Sequence, residues 1–479
     1  MTAPRPNLLF VMADDHAAHA IGAYGSRINT TPSIDRRGDE GMRLDACFCT
    51  NSLCSPSRAA ILTGTYNHVN GVTSNSSQFD ARQPTFVSLL QAAGYETFLA
   101  GKWHLGHGGT SDPVGFDRWS VLPGQGRYSD PEFLEPDGRT VVRQGYVTDV
   151  LTDMTVEWLA ARDRTRPFCA LLHHKAPHEA WEFDERHAGL YADTDVPEPA
   201  TLRDDYAGRG TAASEATMRV ARDMPEEDFK AFVPGGLTAD EQLRWKYQRY
   251  IKDYLRCVAA LDESVGRLLD TLDDEGIAEQ TMVVYTSDQG FFLGDHGWYD
   301  KRFMYEESSR MPMLVRYPPE VPAGSVTDRL ALNVDLAPTF LDLAGVPIPA
   351  FMQGRSLRPL LRGDDPAGWR TSMYYRYWVH LDVMHHVWAH YGVRTDRYKL
   401  VYYYGEPCGQ SGAADESRHP EWELFDLQRD PQELHSVYAD PAYRGIVDEL
   451  TAELRRLQSD LGDVDCAPVP DPAISSDPP

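Results

Sequence analysis

A cysteine and an arginine occur at the spacing C-x-P-x-R in the segment NSLCSPSRAAILTG, residues 51–64. Ser55 is a favourable N-cap and Pro56 suits the first position of a helix, so we expect a helix to begin here. The free N–H groups of that helix N-terminus, together with Arg58, would attract an anion beside Cys54. The alternative is that Cys54 is a small buried apolar residue and Arg58 a surface charge.

Carboxylate and amide side chains follow two apolar runs that have the pattern of strands buried on both faces. The run at 7–12 ends in Asp14 and Asp15, and the run at 281–286 ends in Asp288 and Gln289. Ligands of open α/β sheets bind at the carboxyl ends of the strands, and oxygen ligands of this kind suit Ca²⁺ or Mg²⁺ better than zinc. The sequence therefore predicts a hard-cation site, with a plain loop or N-cap as the alternative for the Asp14–Asp15 pair.

Basic residues follow two further strand-like runs, at 95–100 and 168–172. Lys102 and His104 are two residues apart, so in extended backbone both would point to the same side and reach one anion. The second run leads into HHKAPH, which places three histidines and a lysine within residues 173–178. We expect at least one of these histidines to be functional, whereas an exposed lysine and a packed histidine are the alternative for Lys102 and His104.

Strand patterns alternate with helix patterns over most of the chain, which predicts an α/β fold with a doubly wound, mostly parallel sheet and helices on both faces. Residues 181–239 lack this periodicity and are expected to form an irregular excursion that shapes a substrate pocket. Short β-like runs predict a small C-terminal α+β subdomain with a short antiparallel sheet. The predicted division is a catalytic domain at 1–365, this subdomain at 366–466 and a disordered tail at 467–479.

The composition restricts the partners of the chain. Its 479 residues include 46 Lys and Arg and 72 Asp and Glu, a net charge of −26, which argues against binding to nucleic acid or an anionic membrane surface. An anionic substrate would need a local positive pocket. The seven cysteines suggest neither a disulfide framework nor a zinc site. No signal-peptide pattern or long apolar stretch is seen, so we expect a cytoplasmic protein in a reducing compartment.

Five segments resemble, in the same order, the motifs of the type I sulfatases, which depend on formylglycine and belong to the alkaline-phosphatase-like superfamily. These segments are NLLFVMADD, CSPSRAAILTG, GKWHLG, HHKAPH and SDQGFFLGDHGWYDKR. Two later segments, YGVRTDRYKL and WELFDLQRDPQE, resemble the C-terminal subdomain of that family. The resemblance covers most of the chain and looks closest to bacterial sulfatases that act on sulfated sugars such as N-acetylglucosamine-6-sulfate.

The resemblance implies roles for particular residues. Cys54 would be oxidised to formylglycine by a formylglycine-generating enzyme and would join Asp14, Asp15, Asp288 and Gln289 in holding one divalent cation, usually Ca²⁺, with Mg²⁺ possible. Many family members have Asn where Gln289 stands, which puts that ligand distance in question. The remaining set would bind the sulfate ester and move its protons: Arg58, Lys102, His104, His178 and Lys301, with Asp288 accepting the proton of the nucleophile.

Two other functions fit the same motifs. A phosphonate monoester or phosphodiester hydrolase of the same superfamily would share the formylglycine and the cation, although such enzymes often carry His at the position of Gln289. A non-catalytic protein could instead keep Cys54 as a thiol and only bind sulfated sugar. The chemical state of residue 54 and the substrate assayed distinguish these alternatives.

Overall fold

Ten strands form one sheet, and its central strands are parallel. The computed structural model describes residues 5–463 and 466–467. The strands along the chain are β1 (Asn7–Ala13), β2 (Met42–Leu44), β3 (Cys47–Phe48), β4 (Glu96–Lys102), β5 (Arg118–Leu122), β6 (Glu132–Leu134), β7 (Thr140–Val142), β8 (Phe168–His173), β9 (Thr281–Ser287), β10 (Phe292–Leu293), β11 (Tyr299–Asp300), β12 (Met313–Arg316), β13 (Ser325–Thr327), β14 (Ala331–Leu332), β15 (Ser372–Tyr377), β16 (His390–Thr395), β17 (Tyr398–Tyr403) and β18 (Glu421–Asp426).

The large sheet has the strand order β13-β2-β12-β9-β1-β8-β4-β5-β6-β7. Strands β9, β1, β8, β4 and β5 run parallel to one another, whereas β12, β6 and β7 pair with their neighbours in antiparallel fashion. Because parallel strands point their carboxyl ends to the same edge, the segments after β1, β4, β8 and β9 meet there. These are the segments in which the sequence places the candidate site residues.

Helices cover both faces of this sheet. They are α1 (Pro32–Asp39), α2 (Cys54–Thr63), α3 (Asn67–Asn70), α4 (Phe86–Ala92), α5 (Val147–Ala161), α6 (Thr211–Glu215), α7 (Glu226–Phe229), α8 (Ala239–Asp274), α9 (Glu306–Ser309), α10 (Leu336–Leu343), α11 (Arg358–Leu361) and α12 (Arg444–Leu461). Phe10 and Met12 of β1 lie in one buried core with α2, α4 and α10, while Leu9 and Val11 lie in a second core with α5 and α8. The doubly wound, mostly parallel sheet is therefore confirmed.

Helix α8 connects the fold to the candidate site. Thr238 and Glu241 form a capping box at its start, and the helix then runs for 36 residues. Its apolar face is buried, and Tyr254 on that face accepts a hydrogen bond from Ala17 N at 2.9 Å and donates one to Asp15 O at 2.8 Å. The packing of α8 thus fixes the backbone that follows β1.

The C-terminal part contains the predicted antiparallel sheet, in the order β15-β16-β17-β18. Tyr375 of β15 lies against the segment before the C-x-P-x-R motif, where its hydroxyl accepts from Ser52 N at 3.1 Å and donates to Arg302 O at 2.5 Å. The predicted boundary at residues 365 and 366 stays a prediction. Apart from Ala467, the tail predicted at 467–479 lies outside the described residues.

Residues 330–346 form β14, a short 3-10 turn and α10, and Leu332 N donates to Asp335 Oδ2 at 2.8 Å where the turn begins. No disulfide framework was expected, yet Cys408 and Cys466 are joined by a disulfide. Such bonds persist in oxidising environments, so this pair does not support the expected reducing compartment. In the described part of the chain, no helix is long and apolar enough to cross a membrane.

Candidate active site

Helix α2 begins at Cys54 itself, with Leu53 as its N-cap. The prediction that Ser55 caps this helix and Pro56 opens it is therefore wrong by two residues. The reason is a tertiary contact, since Ser55 Oγ donates to His104 O at 2.5 Å instead of capping α2. The thiol of Cys54 consequently stands at the first helical position, surrounded by protein on all sides.

Three buried carboxylates lie beside Cys54. Strands β1 and β9 are parallel with Ala13 opposite Ser287, so the residues that follow them meet, and Asp15 N donates to Asp288 Oδ1 at 3.3 Å. Oxygen atoms of Asp14, Asp15 and Asp288 all lie within 4.8 Å of one another. A set of this kind is a possible metal site formed by hard oxygen ligands.

The side-chain oxygen of Gln289 provides an independent sign that the cluster fits a cation. Gln289 Nε2 donates to Asp15, and Oε1 is buried with no hydrogen-bond partner among the described residues. Leaving a buried carbonyl oxygen unsatisfied is costly, so an atom in this position is expected to have a partner. A divalent cation held by the neighbouring carboxylates would supply one.

Three basic side chains balance the three carboxylates in this buried cluster. Lys102 Nζ donates to Asp14, Lys301 Nζ lies 2.5 and 2.7 Å from the two carboxylate oxygens of Asp15, and Arg58 pairs with Asp288. Burial raises the pKa of Asp15 to about 8 and that of Asp288 to about 6, despite the opposing positive charges. Burial favours the protonated form of Asp14 as well. The positive charges of Lys102, Arg58 and Lys301 nevertheless hold the pKa of Asp14 well below its usual range.

The thiol of Cys54 lies beside these carboxylates. Its Sγ donates to Asp14 Oδ1 at 3.4 Å, and burial raises the pKa of the thiol above its ordinary value. A thiol that keeps its proton is a poor nucleophile and a poor metal ligand. Cys54 therefore lies at the centre of the charged groups with its thiol protonated in the absence of a cation.

Only one histidine of HHKAPH approaches the carboxylates. His178 Nε2 lies 3.7 Å from Asp15 Oδ2, and Nδ1 hydrogen-bonds to the carbonyl oxygen of Glu179 at 3.0 Å. Because a carbonyl oxygen only accepts, Nδ1 carries the proton, and burial lowers the pKa of His178 well below its usual value. His173 and His174 instead contact Lys102 O and Ser264 Oγ, at 3.3 and 3.2 Å.

Lys102 and His104 are not arranged as the sequence suggested. Lys102 ends β4, but His104 has a φ of 54°, so the backbone between them is not extended and the alternation argument fails. Lys102 is buried against Asp14, whereas His104 is partly exposed. Burial and the charge of Lys102 lower the pKa of His104 well below its usual value.

A second charged group, next to Lys301, was not predicted. His385 Nε2 lies 3.3 Å from Asp300 Oδ2, and His385 Nδ1 lies 2.9 Å from Asp382 Oδ1. Arg302 completes this group, with its Nε 3.4 Å from Asp300 Oδ1. The segment YDKR was visible in the sequence, but its partners are about eighty residues further along the chain, and no local pattern connects them.

Comparison with known proteins agrees with this fold. A family model described as Sulfatase matches residues 6–346, and one described as N-sulphoglucosamine sulphohydrolase, C-terminal, matches residues 294–460. The chain is 42% identical over 506 residues to an N-acetylglucosamine-6-O-sulfatase of Bacteroides thetaiotaomicron, covering 96% of this chain and 88% of that protein. The fold and the site thus define a sulfuric ester hydrolase.

Solved structures of similar proteins share the fold of this chain. One, described as a complex with its substrate D-glucosamine-2-N,6-O-disulfate, is 42% identical, has a TM-score of 0.89 and matches over 96% of this chain and 99% of the other. A phosphonate monoester hydrolase of Agrobacterium radiobacter has a TM-score of 0.74 at 21% identity, over 95% and 96% of the two chains, and shares the fold. This chain belongs to the sulfatase family.

Proposed function

We propose that this protein hydrolyses the sulfate ester of a sulfated amino sugar of the N-acetylglucosamine-6-sulfate type. The observation that carries the proposal is the buried Cys54, which stands among three carboxylates and three cationic side chains at the start of a helix. The 42% identity to an N-acetylglucosamine-6-O-sulfatase over almost the whole chain supports the choice of substrate.

Asp14, Asp15, Asp288 and Gln289 would hold one divalent cation, Ca²⁺ in preference to Mg²⁺, together with residue 54. Their oxygen atoms and the unpartnered Oε1 of Gln289 suit a hard cation. When bound, the cation would lower the pKa of an oxygen nucleophile and add positive charge to this buried cluster. A net positive site buried in a chain of net charge −26 would attract an anionic ester.

Residue 54 would act as formylglycine after oxidation of the thiol by a formylglycine-generating enzyme. The position of residue 54 supports this, since it opens α2 with its Sγ 3.4 Å from Asp14 Oδ1. The hydrated aldehyde supplies an oxygen nucleophile, and Asp288 lies where it would accept the proton of that nucleophile.

The basic residues would stabilise the sulfuryl oxygens and move the remaining protons. Lys102 and Lys301 bring two positive charges into a water-poor site, where fixed charges act strongly on a developing negative charge. Asp15 keeps the pKa of Lys301 above its ordinary value despite burial, while the pKa of His178 is lowered. Either Lys301 or His178 would donate a proton to the leaving alcohol. His104 would remove the second proton of the hydrate, which releases sulfate.

Asp300, Arg302 and His385 would contact the sugar and not the sulfate. They form a polar group directly beside Lys301, and Arg302 is partly exposed. This position suits the binding of hydroxyl groups on a ring whose sulfate is held by the lysines.

The test is an assay of purified protein against N-acetylglucosamine-6-sulfate, combined with mass spectrometry of the peptide that contains residue 54. We expect sulfate release and an aldehyde at residue 54. An unmodified thiol with sugar binding but no turnover would instead support a non-catalytic protein. Faster hydrolysis of a phosphonate monoester than of any sulfate ester would support the phosphonate hydrolase alternative.

A further inference from the structure

His178 belongs to the segment 174–179, which follows β8 and lies alongside the end of β1. Asp14 N donates to Ala176 O at 3.2 Å, and this bond places the segment beside the buried carboxylates. The ring of His178 is buried, with its Nε2 3.7 Å from Asp15 Oδ2. A neutral histidine carries one proton that can sit on either ring nitrogen, so the chemistry of His178 depends on what fixes that choice.

The carbonyl oxygen of Glu179 fixes the tautomer of His178. His178 Nδ1 lies 3.0 Å from this oxygen and donates to it, which leaves the lone pair of Nε2 directed at the carboxylates. Lys175 Nζ donates to the same oxygen, also at 3.0 Å. The acceptor that orients the histidine is therefore itself held by an amine.

No other partner in the structure explains the burial of Lys175. Its side chain is 4% exposed, and burial lowers its pKa to about 8, so the amine is charged at neutral pH. Within residues 5–463, Nζ has the carbonyl oxygen of Glu179 as its hydrogen-bond partner and no carboxylate at ion-pair distance. Burying a cation without an ion pair is costly, and an apolar side chain would fill the same space at lower cost. The bond to Glu179 thus gives the charge a purpose.

Tyr128 holds the neighbouring carbonyl group and the amine of Lys175. Its hydroxyl donates to the carbonyl oxygen of His178, and its ring centroid lies 4.8 Å from Lys175 Nζ. A cation is attracted to the face of an aromatic ring, so the ring directs the amine towards Glu179. Tyr128 lies between β5 and β6, and its own carbonyl oxygen accepts from Val147 N at 2.7 Å, at the start of α5. The device therefore depends on two elements outside the segment that it holds.

We propose that Lys175 and Tyr128 are positioning residues, which hold the carbonyl oxygens of Glu179 and His178 so that Nε2 of His178 faces the carboxylates beside Cys54. The expected effect on turnover rests on the proposed function, in which His178 takes part in proton transfer. The orientation of the ring does not depend on that function and is measured separately.

The kinetic test uses Lys175→Met, which keeps the length of the side chain and removes the charge and the donor. On a sulfated amino sugar, kcat should fall by about tenfold to hundredfold with little change in KM, the range typical of losing an outer partner that orients a histidine. Tyr128→Phe should lower kcat by about twofold to tenfold, the net worth of one hydrogen bond. Tyr146→Phe is the matched control, because Tyr146 stacks on Tyr128 while its hydroxyl has no hydrogen-bond partner among the described residues.

A double-mutant cycle with His178→Gln separates positioning from a general loss of structure. If Lys175 acts through His178, Lys175→Met should cause little further loss of kcat once His178 has been replaced. Equal fold losses in both backgrounds, or no loss in the wild-type background, would overturn the inference. Melting temperatures identify any variant that does not fold, and Tyr128→Phe provides the same comparison if Lys175→Met is one of them.

A spectroscopic measurement tests the orientation without an assay of activity. Nitrogen nuclear magnetic resonance of protein labelled at its histidines reports which ring nitrogen carries the proton, and His178→Gln identifies the signal of His178. We expect the proton on Nδ1 in the wild type and in Tyr146→Phe. In Lys175→Met the signal should move towards a mixture of the two tautomers, because the acceptor is no longer held. An unchanged tautomer in both Lys175→Met and Tyr128→Phe would overturn the inference.

The two measurements distinguish failure of this inference from failure of the proposed function. A protein that releases no sulfate from any ester, but whose His178 changes tautomer in Lys175→Met, would reject the proposed function and support the positioning device. Sulfate release by a protein in which the tautomer of His178 is the same in wild type and both variants would support the proposed function and reject the device.

Discussion

Arg58 and Asp288 form a buried ion pair that connects the helix starting at Cys54 to the end of β9. Arg58 Nε lies 3.0 Å from Asp288 Oδ2, and one terminal nitrogen lies 2.9 Å from the same oxygen. Arg58 also donates to Lys102 O at 2.7 Å. Breaking a buried pair leaves an uncompensated charge, so Arg58 stabilises the folded site in addition to any contact that it makes with sulfate.

Replacing Cys54 by Ala should remove nearly all turnover while leaving the fold intact, because an alanine side chain cannot become an oxygen nucleophile. The measurement is sulfate release together with a circular dichroism melt. Cys169→Ala, which alters a buried cysteine of β8, is the control and should remain active. Full activity of Cys54→Ala would exclude the proposed nucleophile. In Cys54→Ser, the serine hydroxyl should attack the sulfate ester once. It should not release sulfate by the same route, because serine has one oxygen and the aldehyde hydrate has two.

Removal of divalent cations should abolish activity and lower the melting temperature, and Ca²⁺ or Mg²⁺ should restore both. A ligand that binds only the folded state stabilises it, so the melting temperature reports binding without any assay of activity. Asp15→Asn should weaken this response to the cation. Elemental analysis should find one such ion per chain, and zinc or no metal in active protein would contradict the assignment.

Lys102→Ala and Lys301→Ala should each lower kcat by about 10²–10³-fold, the usual effect of removing one donor from a preorganised site. The loss should be similar on a small aryl sulfate and on a sulfated sugar, because both lysines are proposed to act on the sulfuryl group. Lys252→Ala, at a partly exposed lysine of α8 outside the candidate site, is the matched control. A loss confined to the sugar would show that these lysines bind the ring.

His385→Ala should raise KM on the sulfated sugar while leaving kcat on the aryl sulfate nearly unchanged. The reason is that His385 supports Asp300 and Arg302 beside the lysines and does not reach the carboxylates that surround Cys54. Substitutions within 181–239 are likewise expected to change KM on the sulfated sugar more than kcat on the aryl sulfate. His419→Ala, at an exposed position, provides the control. Equal damage on both substrates would place His385 in the chemical step.

His174→Gln should make the protein less sensitive to acid. Burial lowers the pKa of His174 to about 3, whereas an unfolded histidine titrates near 6.5. Between these values the unfolded chain binds more protons than the folded chain, so His174 reduces the free energy of unfolding as pH falls below 6.5. The effect is expected to reach a few kcal/mol near pH 4.

Denaturant titrations of wild type and His174→Gln from pH 4 to 7 would measure this effect. The variant should show a flatter dependence on pH, while His435→Gln, at a mostly exposed position, should follow the wild type. Parallel curves for His174→Gln and wild type would show that this histidine does not drive acid sensitivity.

The amino-acid sequence by itself determined the central strands β1, β4, β8 and β9 and the residue types at their ends. Runs such as 7–12 and 281–286 are apolar throughout, and burial on both faces of a parallel sheet requires this, so the local pattern is sufficient. The convergence of Asp14, Asp15 and Asp288 followed from the same rule, because parallel strands end at one edge. Family resemblance added the roles, which stay predictions.

Contacts between distant segments were decided only by the tertiary structure. The pairing of Lys301 with Asp15, the group formed by Asp300 and His385, and the disulfide between Cys408 and Cys466 each join parts of the chain that share no local signal. The helix start at Cys54 and the positive φ of His104 also depend on neighbours brought in by folding. Hydrophobic periodicity reports which face of an element is buried, but the partner that meets a polar side chain is set by packing.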